Sequence, residues 1–131
     1  MNNITADWLQ AAADDLAAIE VMLPNEQLTN IIAFHAQQAV EKMLKGLIVN
    51  QGEQPPRTHK TADLLPRVSS VDLSAQTHGL LRLDRFYIPT RYPDALPGML
   101  SEGMPNADDA MEAVQMAYEL KIALSKMLSP S

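Results

Sequence analysis

Two stretches of the sequence hold most of the side chains that can do chemistry. The first is Phe34-His35-Ala36-Gln37-Gln38-Ala39-Val40-Glu41-Lys42-Met43-Leu44-Lys45, in which Gln38 and Lys42, and Glu41 and Lys45, stand four residues apart. On a helix such pairs are surface neighbours worth roughly 0.2–0.5 kcal/mol each, so a solvated polar stripe is expected beside an apolar one. The second is Arg85-Phe86-Tyr87-Ile88-Pro89-Thr90-Arg91-Tyr92-Pro93-Asp94. Its prolines preset a turn and its aromatic rings brace it. Guanidinium forks suit phosphate oxygens, and a rigid loop holds one at little entropic cost. A phosphate-binding site is therefore expected where this turn meets the first stretch, with Arg85, Arg91 and Lys42 as donors. Tyr87 and Tyr92 would be stacking or hydrogen-bonding neighbours. The competing role is structural, with Tyr92 packed on the fold and Arg91 closing a helix C-terminus or pairing with an acid.

Hydrolytic and metal chemistry find little support. His35, His59 and His78 fall on three different segments, with no His-x-x-x-His or Glu-x-x-His pair. Neither Gly-x-Gly-x-x-Gly nor Gly-x-x-x-x-Gly-Lys occurs, so no phosphate loop is expected. Cysteine is absent, which excludes a disulfide scaffold, a thiolate zinc site and a cysteine nucleophile. No catalytic residue, metal ligand or cofactor is assigned.

The elements that must position these groups are helical. At 131 residues the chain reads as one domain, 1–131, long enough to bury about two-thirds of its unfolded surface. Hydrophobic residues make up 47% and charged residues 20%, which excludes disorder as a description of the whole. No basic leader and no apolar run of about 20 residues is visible, so a cytoplasmic location is expected. The net charge of −6 is segregated: residues 1–41 carry six acids and no Lys or Arg, and every arginine lies between 57 and 91. An acidic protein is a poor non-specific duplex binder, whereas a local arginine cluster suits a phosphate or an acidic partner.

Apolar positions from Trp8 to Leu23 recur every three or four residues, with Thr5 as the expected N-cap and Pro24 as the stop. Asn25 would cap a second helix of roughly 26 residues, ~39 Å long, ending at Gly52. Its apolar residues (among them Ile31, Phe34, Val40 and Leu44) exceed one narrow stripe, which predicts a surface shared in a symmetric homodimer. A short helix is expected around Leu64 and Leu65, and a fourth capped by Asp72. Six Pro and Gly residues make 88–105 a loop, after which Asn106 opens the last helix. The fold class is thus all-α: an up-and-down antiparallel bundle of four to five helices.

Trp8 with Asp15-Leu16, the run Phe34-His35-Ala36-Gln37-Gln38-Ala39-Val40-Glu41-Lys42, Thr58-His59 before Leu64-Leu65, and Tyr87 through Arg91-Tyr92-Pro93 together resemble the HEPN domain family of prokaryotes. The resemblance runs over nearly the whole chain. It implies a helical bundle, commonly homodimeric, associated with nucleotide or RNA binding. It also implies a small nucleotidyltransferase as partner, in a two-protein module of the toxin–antitoxin kind, and it adds His59 and Gln38 to the binding residues. RNA-cleaving members of the family carry Arg, four to six residues, then His. No arginine here has that histidine, and Arg91 is followed at the required spacing by Leu96, Pro97 and Gly98. A non-catalytic binding subunit is therefore expected. The alternatives are a metal-independent ribonuclease, with His35 or His59 meeting Arg91 across a dimer cleft, and a purely structural interaction module.

Overall fold

The computed structural model describes residues 3–23, 25–86 and 106–128. The whole of the loop expected at 88–105, with Tyr87, lies outside the described residues, and Arg91 and Tyr92 with it. The architecture is all-α, with no strand among the described residues. Three long helices, α1 (Asn3–Met22), α2 (Thr29–Asn50) and α5 (Ala107–Leu128), are joined by two short ones, α3 (Thr61–Leu64) and α4 (Thr77–Arg82). No helix of the described residues is long and apolar enough to cross a membrane.

Local chemistry accounts for most boundaries. The Asn25 side chain accepts from the Gln27 N–H at 2.9 Å and caps a 3-10 turn, Glu26–Leu28, that leads into α2. At the other end of α2, Gly52 adopts a φ of 87°. There the Glu53 N–H bonds the Ile48 carbonyl and the Gly52 N–H bonds the Val49 carbonyl. This paired closure satisfies carbonyls that a helix end leaves open, and its left-handed residue favours glycine. Asn106 and Asp109 cap α5 reciprocally, each side chain accepting from the other's backbone N–H at 2.8 and 3.0 Å.

Two expected caps are placed differently. Thr5 lies inside α1 with no solvent exposure, because the helix begins at Asn3. Asp72 holds the turn at Ser74, whose N–H and hydroxyl both donate to it, and α4 begins only at Thr77. The cap of α3 comes from far along the chain. Asp84 accepts from the Thr61 and Ala62 N–H groups at 2.6 and 3.1 Å.

Helix α2 lies between α1 and α5. Helices α1 and α2 form an antiparallel hairpin: Trp8 and Leu9 face Gly46, while Asp15 meets His35 and Lys42. Along α4 and the 3-10 turn after it, Gly79, Arg82 and Arg85 meet Met116, Glu112 and Asp109, so this segment runs antiparallel to α5. The apolar excess of α2 follows from its central position. Val40, Leu44, Leu47 and Ile48 are at most 1% exposed within the single chain, and of the residues that suggested a shared surface only Ile31 is classed as exposed, at 44%. Coverage from two sides needs more than one apolar stripe.

Gly46 sets the separation of α1 and α2. A Cβ there would lie 3.2 Å from Leu9 Cδ2 and 3.3 Å from Trp8 Cβ, an atom tied to the α1 backbone. Gly46→Val should lower stability by about 1–3 kcal/mol through overpacking, read as a shifted denaturant midpoint with unchanged slope.

Candidate functional site

The polar residues of α2 do not form a solvated stripe. Gln37, Glu41 and Lys45 are 0%, 4% and 7% exposed, and Asp15 of α1 is 7% exposed. An unpaired charge at such depth costs several kcal/mol, so each must find partners, and each does.

Glu41 is the centre of one group. Its Oε2 accepts from Lys45 Nζ at 3.0 Å, as the four-residue spacing predicts. Its Oε1 lies 3.2 Å from His59 Nδ1 and also accepts from Gln38 and, more weakly, Gln37. An ionised carboxylate only accepts, so in this contact the Nδ1 of His59 is the donor. Gln37 fixes the segment that brings His59 here, donating to the His59 carbonyl at 3.0 Å while its own oxygen accepts from Gln38. The His59 side chain remains 56% exposed.

Asp15 is the centre of the other. Lys42 Nζ donates to its Oδ2 at 2.7 Å, and His35 Nδ1 lies 2.8 Å from Oδ1. Burial pushes the Asp15 pKa up, but the hydrogen bonds and charges of His35 and Lys42 outweigh it and hold the carboxyl below its ordinary value. Lys42 therefore bonds across to α1 rather than pairing with Gln38. Lys42 and His35 keep 25% and 30% of their side chains exposed. His35 and Lys42, seven residues apart, share one edge of α2, and Glu41, which holds His59, directly precedes Lys42 in the helix.

The expected site residues divide accordingly. Lys42 lies on this edge with Asp15 as its partner, and Gln38 and His59 both meet Glu41. Arg85 is engaged elsewhere: its Nη2 donates to Asp109 at 3.2 Å and its guanidinium lies 4.8 Å from the Phe86 ring centroid. These contacts clamp the 3-10 turn, Leu83–Phe86, onto the start of α5. Arg91, Tyr87 and Tyr92 lie outside the described residues. The sequence reading overlooked Asp15, Gln37 and Glu41 as the groups that organise the edge. Their signal was register. Asp15 falls between Ala12 and Ile19, and Glu41 between Gln37 and Leu44, at the spacing of buried helix positions.

No group of three or more His, Asp or Glu among the described residues could hold a metal ion. The HEPN domain model matches residues 5–126. The chain belongs to the HEPN domain family. It is also similar to the solved crystal structure of TT1696 from Thermus thermophilus, with a TM-score of 0.81 and 31% sequence identity over 97% of this chain and 100% of that one. No curated protein matches the sequence.

The depressed Asp15 pKa has a consequence for acid stability. A carboxyl held lower in the folded than in the unfolded chain stabilises the fold above its unfolded pKa, near 3.8, and this contribution is lost as pH falls through the folded value. Asp15→Asn should therefore show lower stability at neutral pH and a shallower loss below about pH 4. Urea melts of both proteins at a series of pH values check this.

Proposed function

We propose that this HEPN-family protein is a non-catalytic nucleotide- or RNA-binding subunit, a cytoplasmic homodimer that works with a small nucleotidyltransferase in a toxin–antitoxin-like module. The observation that carries the reading is the α2 edge, where Lys42, His35 and His59 are partly exposed and each is fixed by a buried carboxylate. Fixed N–H donors lose little entropy on meeting phosphate oxygens, and cationic ones bind them with charge assistance. Asp15 and Glu41 offset Lys42 and Lys45, so the edge suits a few phosphates rather than a long duplex. The dimer and the nucleotidyltransferase partner rest on what the family resemblance implies.

A second reading, a metal-independent ribonuclease, has its own observation. Glu41 orients the His59 ring at Nδ1, and the side chain stays 56% exposed, as an imidazole that exchanges protons with a substrate requires. The absent Arg-to-His spacing weighs against it. A purely structural interaction module would bind partner protein and no nucleic acid.

Binding, cleavage and assembly separate these. Short single-stranded RNA should bind with an affinity that falls as salt rises. Lys42→Ala and His59→Gln should each weaken it about five- to tenfold, with folding checked by circular dichroism. Labelled RNA should stay intact in metal-free buffer; turnover lost in His59→Gln would instead establish the ribonuclease. Light scattering should give twice the 14.4 kDa chain mass, and a value of one chain mass would reject the dimer.

A further inference from the structure

A cavity of about 590 Å³ opens where the start of α1 meets the end of α2 and the segment that follows it. Its volume lies within the ordinary range for a small-molecule site. Trp8, half-buried, supplies an aromatic wall, and Val49, Pro55 and Pro56 add apolar surface. Lys45 and Arg57 bring positive charge to it, while Glu53 and Gln54 add polar groups.

Three features make this a built site. Gly46 admits α1 closely enough to bring Trp8 against α2. Gly52, in its left-handed conformation, turns the chain so that residues 53–57 form the opposite wall. Lys45 Nζ is held by Glu41 and lies 5.5 Å from the Trp8 ring centroid, which fixes both the cation and the ring. Two donors remain unused. The Arg57 guanidinium is exposed, and neither it nor the Trp8 indole N–H has a hydrogen bond or ion pair among the described residues.

An aromatic wall with an unpaired guanidinium fits a flat ring that carries an anion. Glu53 and Gln54 accept from ring amino and imino groups, which favours a nucleobase over a plain aromatic acid. We infer that this cavity binds one nucleoside monophosphate unit, the base against Trp8 and the phosphate on Arg57 and Lys45. The inference rests on the nucleotide-binding reading for its ligand class, while its location is separate from Lys42 and His35. The unit is either a free nucleotide or one residue of a single-stranded RNA. Base–aromatic stacking and a guanidinium–phosphate contact serve both.

Trp8 is the one tryptophan in the chain, so its fluorescence reports this cavity directly. Adenosine monophosphate should quench it saturably, with ribose 5-phosphate and adenosine at least about tenfold weaker because each lacks one half of the contact. Arg57→Ala should weaken adenosine monophosphate about five- to tenfold with the melting temperature unchanged, since Arg57 is exposed. A short oligoadenylate that quenches at least about tenfold more tightly than the mononucleotide assigns the site to RNA; equal or weaker quenching assigns it to free nucleotide. No saturable quenching by either probe at millimolar concentration, or quenching unaltered in Arg57→Ala, overturns the inference. RNA binding that is lost in Lys42→Ala while Trp8 stays silent would overturn this site and leave the α2 edge standing. Quenching that depends on Arg57, alongside RNA binding that is unchanged in Lys42→Ala and His59→Gln, would do the reverse.

Discussion

The carboxylate of Glu41 has almost no contact with water, and the middle of the protein is arranged around that constraint. A buried charge without partners costs several kcal/mol, and removing one member of such a pair is typically destabilising by about 3–5 kcal/mol. Lys45, Gln38 and His59 converge on it, and Gln37 adds a longer contact. Lys45 is itself buried and lies over Trp8, which ties the start of α1 to the end of α2. Gln37 holds the His59 carbonyl, which ties the returning segment to the same face. One carboxylate thus joins three parts of the chain and leaves a half-exposed imidazole at their junction.

The segregated charge of the sequence has a matching role. Arg82 and Arg85 pair with Glu112 and Asp109 of α5, and Lys42 pairs with Asp15 of α1. Much of the positive middle segment therefore mates with the acidic helices on either side of it. Exposed pairs such as Arg82–Glu112 add little stability, whereas the partly buried Asp15 group is shielded from solvent and specifies how α1 seats on α2. Arg57 is left without an ion pair among the described residues, and it stands at the mouth of the cavity beside Trp8.

Close approach and charge depend on one another here. Gly46 has no side chain to hold α1 away, so Trp8 can shield Lys45, and shielding strengthens the bond from Lys45 to Glu41. Gly52 ends α2 in a conformation that favours glycine and sends residues 53–60 back across the same face. The cavity and the His59 contact both follow from that turn.

The helices themselves were legible in the sequence. Asn25, Gly52 and Asn106 act through their own backbone and nearest neighbours, so their effects need no knowledge of the fold. The Glu41–Lys45 pair was legible for the same reason, being one helical turn apart. The depth of that pair was not. Periodicity reports which residues share a face, but what covers a face is decided by distant segments. Thr5 became a buried helix residue and Asp84 the cap of α3 because packing brought other parts of the chain to them. Asp15 took Lys42 from across the hairpin, and Asp109 took Arg85 from 24 residues earlier in the chain. Residue order was enough to specify the helical elements and their local ends, whose energies arise within a few residues. Which polar groups lost water, and which cations stayed unpaired, was settled by packing, because desolvation depends on everything that surrounds a group.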